Sequence, residues 1–146
     1  MSDAASTTSP SLILERRYAA PPARVFAAWT DPKEIARWWG GADWEVLGIE
    51  SDVRVGGHFR HRSRLPSGEL SEVGGTFREV VPGAKLVFTW AWHSTPERES
   101  LVTITLAPDG SGTKLTLTHE RFYDAPARDN HLRGWTVALE RIAAIV

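Results

Sequence analysis

Apolar and polar residues alternate most regularly in three neighbouring runs: KLVFTWAW (85–92), LVTITL (101–106) and TKLTLTH (113–119). Successive side chains of an extended chain point to opposite faces. The first run therefore places Trp90 with Phe88 on one face, and the last places His119 with Leu117. Turn residues such as Pro108 and Gly110 separate the runs. Short turns between alternating runs predict antiparallel strands with one apolar face.

Runs with the same period extend this pattern towards the amino terminus. They cover residues 12–18, 44–49, 58–64 and 72–80. Phe59 and His61 share one face of their run, and we expect that face to lie inward because three arginines occupy the other. In the run 44–49, strict alternation places Ile49 with Leu47 and opposite Val46.

Helical spacing replaces alternation in three places. Residues 23–29 and the segment after Asp31 predict two short helices, because Asp31 suits an N-cap and Pro32 suits the first helical position. Near the carboxyl end, Asp124 fits the N-cap of a longer helix. The apolar residues at helical spacing in that last segment are Leu132, Trp135, Leu139, Ile142 and Val146. An amphipathic helix must bury such a stripe, and the predicted sheet offers an apolar face.

The order of these elements predicts an α+β fold. A chain of 146 residues suits one domain, which we place at residues 11–146, after a disordered tail at residues 1–10. The absence of cysteine excludes disulfides and cysteine-ligated zinc. Net charge is −1, with 17 Lys+Arg against 18 Asp+Glu and no basic run, which argues against nucleic acid as a partner.

Membrane and export signals are not found in the sequence. Its apolar runs fall short of the roughly 20 residues that a spanning helix needs. The first ten residues lack the basic and apolar regions of a secretory signal. We therefore predict no membrane span and a cytoplasmic location, which also fits the lack of cysteine.

Short motifs spread over the chain resemble one protein superfamily. They are Ala20-Pro21, Val25-Phe26, Ala28-Trp29-Thr30-Asp31-Pro32, Trp38-Trp39-Gly40, Gly56-Gly57-His58-Phe59, Leu86-Val87-Phe88-Thr89-Trp90, Gly112-Thr113-Lys114-Leu115 and Gly134-Trp135. Together they resemble the START-like, polyketide cyclase and Bet v 1-like (SRPBCC) superfamily, in its bacterial branch named after the activator of the heat-shock protein 90 ATPase. The resemblance implies a helix-grip fold, a curved antiparallel sheet wrapped around a long C-terminal helix, with two short helices after the first strand.

The predicted interior is richer in aromatic and polar groups than a plain core requires, which indicates a cavity between the sheet and the last helix. Such ligand sites are mostly apolar with a few polar anchors. The residues predicted to bind a small hydrophobic or aromatic molecule are Trp39, Phe59, His61, Phe77, Phe88, Trp90, Trp92, His119, Trp135 and Leu139. The aromatic side chains would supply apolar contact, and His61 and His119 would orient a polar group.

Each of these residues also has a structural interpretation. His61 and His119 can be core histidines whose ring nitrogens are satisfied within the protein. The tryptophans can simply fill the space between sheet and helix. A metal site is not expected, because His58 and His61 lie on opposite faces of one strand. Neither a cofactor nor a catalytic nucleophile is predicted, since the chain has no cysteine and no G-x-S-x-G motif.

Three functions remain open on the sequence. The first is binding of a small hydrophobic or aromatic ligand. The second is an enzyme of the cyclase, dehydratase or hydrolase type, which would use His61, His119 or Glu120 for acid–base catalysis in the same cavity. The third is a protein-interaction or co-chaperone-like module, which predicts a filled interior and an exposed apolar patch. A homodimer is compatible with each of the three.

Overall fold

Seven strands and three helices make up the part of the chain, residues 9–146, that the computed structural model describes. In chain order they are β1 (Leu12–Tyr18), α1 (Pro22–Thr30), α2 (Pro32–Trp38), β2 (Glu45–Ser51), β3 (His58–Arg64), β4 (Leu70–Val81), β5 (Lys85–Trp92), β6 (Ser100–Asp109), β7 (Gly112–Glu120) and α3 (Ala125–Ala143). Residues 1–8 of the predicted tail lie outside the described residues. Pro10 belongs to the fold, because its carbonyl accepts a hydrogen bond from the Phe122 N–H at 3.2 Å.

All seven strands join one antiparallel sheet in the order β1-β7-β6-β5-β4-β3-β2. The strands from β2 to β7 follow one another as a meander, while β1 pairs with β7 at the far edge. Cross-strand register aligns inward side chains in rows, such as Phe88 of β5 with Val102 of β6 and His119 of β7. The α+β prediction, with a curved antiparallel sheet and a long C-terminal helix, is confirmed.

The helix boundaries follow from local capping. The Asp31 side chain accepts from the Lys33 N–H at 2.9 Å and separates α1 from α2. The Asp124 side chain accepts from the Ala127 N–H at 2.9 Å and starts α3, with Pro126 in the first turn. Both caps agree with the sequence predictions. The described chain contains no helix that is both long and apolar enough to cross a bilayer.

Two predictions about side-chain direction are wrong. A β-bulge between Val46 and Gly48 shifts the register of β2, so Ile49 turns to the same side as Val46 instead of joining Leu47. On α3, Leu132 is 37% exposed, whereas the buried stripe consists of Trp135, Ala138, Leu139 and Ile142. The neighbouring His131 takes the inward position predicted for Leu132.

Candidate functional site

A cleft of about 650 Å³ opens between the amino-terminal half of α3 and the ends of the central strands. Aromatic side chains from β5, α3 and the connecting loops form a large part of its wall. They are Trp39, Trp44, Trp90, Trp92, Phe122, Tyr123 and Trp135. The uncharged polar side chains are those of Thr95, Ser100, Asn130 and His131 with the Tyr123 hydroxyl, while Arg98 and Arg133 carry the charges. The cleft therefore has an apolar wall with a small set of polar groups.

Three tryptophans reach this wall for simple geometric reasons. Trp90 and Trp92 lie two residues apart on the inward face of β5. Trp39 follows the last residue of α2, where its extended backbone turns the chain away from the helix. The Arg141 guanidinium donates to the carbonyls of Trp39 and Gly40, so α3 holds the carboxyl end of α2 in place.

His131 connects the helix to the two strand tryptophans. Its Nε2 accepts from the indole N–H of Trp92 at 3.0 Å and from that of Trp90 at 3.3 Å. Its Nδ1 lies 2.7 Å from the Ala127 carbonyl oxygen. Because Nε2 accepts, we assign the ring proton to Nδ1, which donates to that carbonyl. Burial lowers the pKa of His131, in agreement with a neutral ring that accepts hydrogen bonds.

His119 lies behind the cleft wall rather than on it. Its Nδ1 accepts from the Trp135 indole N–H at 3.0 Å, so its proton is assigned to Nε2, which lies 2.7 Å from the Ser100 Oγ. The Ser100 hydroxyl in turn donates to the Trp90 carbonyl at 3.2 Å. Burial, with a smaller contribution from neighbouring His131, lowers the pKa of His119 to about 2. Both ring nitrogens of this neutral, buried histidine are thus engaged within the protein.

His61 is buried without such partners. It packs against Trp39 at 4.6 Å and against Phe59 at 5.3 Å between ring centroids. Within residues 9–146, neither its Nδ1 nor the Oγ of Ser63, two residues on, meets a hydrogen-bond partner. Burial lowers the pKa of His61 to about 4. The His61 ring is therefore neutral, and its neighbours are aromatic rings.

The interior beside His61 is almost filled, with about 20 Å³ of space. Phe59 lies at its centre, 5.2 Å from Phe88 and 5.7 Å from Phe77 between ring centroids. We call these three phenylalanines with His61 the aromatic interior. Trp39, Trp90 and Trp135 border both this space and the cleft.

The ten residues predicted to bind a ligand thus separate into groups. Four line the cleft: Trp39, Trp90, Trp92 and Trp135. Four form the aromatic interior: Phe59, His61, Phe77 and Phe88. His119 lies behind Trp135, and Leu139 is fully buried on α3. A ligand-binding role for the ten stays a prediction.

Sequence reasoning missed several cleft residues. His131 is the clearest, and its signal was available, since it lies four residues before Trp135 on the same helical face. Arg98 and Phe122 lie in loops, where no periodicity predicts a direction. No group of three or more metal-ligating side chains suited to a metal ion lies within residues 9–146.

Comparison with known families and structures gives a consistent result. Residues 19–146 match the family model described as Activator of Hsp90 ATPase homolog 1-like protein. No curated protein matches the chain.

Solved bacterial structures share the fold over nearly the whole chain. A Chromobacterium violaceum protein is 33% identical, with a TM-score of 0.83, over 93% of this chain and 96% of its own. The AHSA1 protein of Silicibacter pomeroyi is 30% identical, with a TM-score of 0.81, over 92% and 96%. The AHSA1-like protein of Aeromonas hydrophila is 25% identical, with a TM-score of 0.80, over 92% and 90%.

Proposed function

The chain belongs to the Activator of Hsp90 ATPase homolog 1-like family, and within that fold we propose that it binds a small apolar or aromatic molecule in the cleft. The observation that carries the proposal is the open, tryptophan-lined space of about 650 Å³. Ligand sites in proteins usually measure 300–1,000 Å³ and combine an apolar wall with a few placed polar groups. This cleft has both properties.

The hydrogen bonds around the cleft support a preformed binding wall. His131 holds the indole nitrogens of Trp90 and Trp92, and His119 holds that of Trp135. With these N–H groups satisfied, the indole rings offer flat apolar surface at little cost in side-chain ordering. The same engagement of both histidines favours binding over acid–base catalysis in this cleft.

Gly134 gives independent support. It lies inside α3, where glycine is less favourable than alanine by about 1 kcal/mol. Within residues 9–146, a Cβ at this position would meet no atom within 4 Å, so packing against these residues does not require glycine there. Gly134 borders the cleft, and a side chain there would occupy its space. Close approach of a ligand explains why a helix-weakening residue stands at this point.

The test is titration with N-phenyl-1-naphthylamine, a neutral aromatic probe whose emission rises in apolar surroundings. Gly134→Leu places a side chain in the cleft, and we expect it to weaken binding of the probe by about tenfold or more. Ala143→Leu adds the same side chain to an exposed position of the same helix, away from the cleft, and should leave the affinity unchanged. Native mass spectrometry of protein purified from its own cells would then identify a retained ligand.

Two results would count against the proposal. One is a wild-type protein that does not bind the probe. The other is equal binding by the wild type, Gly134→Leu and Ala143→Leu, which would place the probe elsewhere on the molecule.

The family description favours a second candidate, a chaperone-associated module. The match to proteins similar to an activator of the Hsp90 ATPase carries this candidate. It predicts that the purified protein raises the ATPase rate of an Hsp90-type chaperone, measured by phosphate release, and that Gly134→Leu leaves this effect intact. A cytoplasmic location and a homodimer stay predictions under either function.

A further inference from the structure

The charged groups on the cleft wall all have the same sign. Arg98 and Arg133 line it, and among the described residues no aspartate or glutamate does. His131 on the same wall has its pKa lowered by burial and adds no negative charge. The whole chain carries a net charge of −1. The positive cleft is therefore a local arrangement and not a reflection of overall composition.

Arg98 is held at the mouth by an aromatic ring. Its guanidinium carbon lies 3.9 Å from the centroid of the Tyr123 ring, in cation–π contact. Its one carboxylate neighbour within residues 9–146 is Glu97, at 3.8 Å from Nε, and the Glu97 side chain is 70% exposed. An exposed ion pair of this length contributes little. The guanidinium is thus placed at the cleft while most of its hydrogen-bonding capacity remains unused.

Arg133 reaches the same cleft from α3. It donates to the Asn130 Oδ1, one turn earlier on the helix, and within residues 9–146 it forms no ion pair. Asn130 and Gly134 line the cleft beside it. Two guanidinium groups, one from a loop and one from the helix, therefore border one apolar cleft whose wall, as far as residues 9–146 form it, holds no carboxylate.

We propose that the ligand of this cleft carries an anionic group, such as a carboxylate or sulfonate, on its aromatic or apolar body, and that Arg98 and Arg133 bind that group. This inference rests on the proposed function and specifies its ligand class. Guanidinium groups form charge-assisted, paired hydrogen bonds with such anions. A nearby apolar wall strengthens the attraction, because it excludes water from one side of the pair.

Two probes that share a ring system test the inference. 1-Anilinonaphthalene-8-sulfonate is N-phenyl-1-naphthylamine with an added sulfonate. For each protein we would measure the ratio of the two dissociation constants, neutral over anionic, so that effects on the apolar wall cancel. The double variant Arg98→Gln/Arg133→Gln should lower this ratio about fivefold to tenfold.

A control variant removes the same charge elsewhere. Arg78→Gln/Arg128→Gln replaces two arginines outside the cleft wall and should leave the ratio within about twofold of wild type. High salt should reduce the ratio in the wild type and in this control, with little effect on the Arg98→Gln/Arg133→Gln protein.

The outcomes separate the two proposals. If the neutral probe binds the wild type but both double variants keep the wild-type ratio, the anion site is overturned and the ligand cleft stands. An equal fall of the ratio in both double variants also overturns it, since net charge alone would then account for the effect. If the wild type binds neither probe, both proposals fail.

Discussion

The aromatic interior and the cleft are built from similar residues but differ in how much space they leave. Both contain aromatic rings and a neutral histidine. The interior leaves about 20 Å³ around Phe59, and the cleft leaves about 650 Å³ beside Trp92. The interior is closed by packing of ring against ring, whereas the cleft ends at loops and at a helix glycine. Composition therefore does not decide whether a region is a filled core or an open cleft.

The two buried histidines, His119 and His61, differ in their hydrogen bonding. His119 has both ring nitrogens engaged, while His61 has an Nδ1 without a partner in the described chain. Burial lowers the pKa of each. A shifted pKa alone thus fails to separate a histidine that organises its neighbours from one that is simply enclosed.

The largest expected effect tests whether the interior is core. Phe59→Ala should lower the free energy of unfolding by about 3–5 kcal/mol, because it leaves a void among packed rings. Val137→Ala, at a cleft residue that is 49% exposed, should change it by less than about 0.5 kcal/mol. Urea unfolding measures both. Similar losses in the two variants would erase the distinction between interior and cleft.

The next effect compares the two histidines directly. His119→Leu should cost about 2–3 kcal/mol, because the Trp135 N–H loses its acceptor and the Ser100 hydroxyl loses a partner inside the protein. His61→Leu should be neutral or stabilising, since it removes a buried polar atom that has no partner. Thermal and urea unfolding provide the measurement. A loss at His61 as large as that at His119 would contradict this assignment.

A third prediction concerns pH. Burial lowers the pKa of His61 from its ordinary 6.5 to about 4, so between these values the unfolded chain binds a proton that the folded chain does not. His61 therefore does not lower the free energy of unfolding above about pH 6.5, and it lowers that free energy progressively as the pH falls from about 6.5 towards 4. His119 extends the loss towards pH 2.

Urea unfolding of the wild type and of His61→Leu between about pH 8 and pH 4 isolates the contribution of His61. The variant should lose less stability on acidification than the wild type. Parallel pH profiles would show that His61 titrates alike in the folded and unfolded chains.

The smallest expected effect is a gain. Gly134→Ala should raise the free energy of unfolding by up to about 1 kcal/mol through helix propensity. It should also weaken binding of the neutral aromatic probe, because the new methyl group enters the cleft. A stabilised protein with undiminished binding would show that the bound probe does not approach Gly134.

Much of the fold follows from the sequence because the period of two is a property of the extended backbone. It assigns Phe59 and Trp90 to the inner face without knowledge of the tertiary structure. It fails at Ile49, where a bulge adds one residue to β2 and reverses the alternation. Helical spacing fails at Leu132, because the neighbouring His131 lies inward instead and accepts hydrogen bonds from two indoles.

The cleft was harder to predict for a different reason. Alternation identifies Trp90 and Trp92, and helical spacing identifies Trp135, but neither separates a filled space from an open one. The opening depends on the paths of the loops that carry Arg98 and Phe122, and those paths have no periodic signal. Gly134 can be read from the sequence, but the sequence does not show that the space where a side chain would lie is empty of atoms from residues 9–146.

The tryptophans also give the molecule an optical property. Ring centroids lie 5.8 Å apart from Trp92 to Trp90 and 5.1 Å from Trp90 to Trp135. The row continues at 5.8 Å to Trp29 and 5.0 Å to Trp38, deep in the core. At such separations energy transfer between indoles competes with emission, so quenching of one ring lowers the emission of its neighbours. A quencher that enters the cleft beside Trp92 would therefore also reduce the fluorescence of tryptophans that it does not contact.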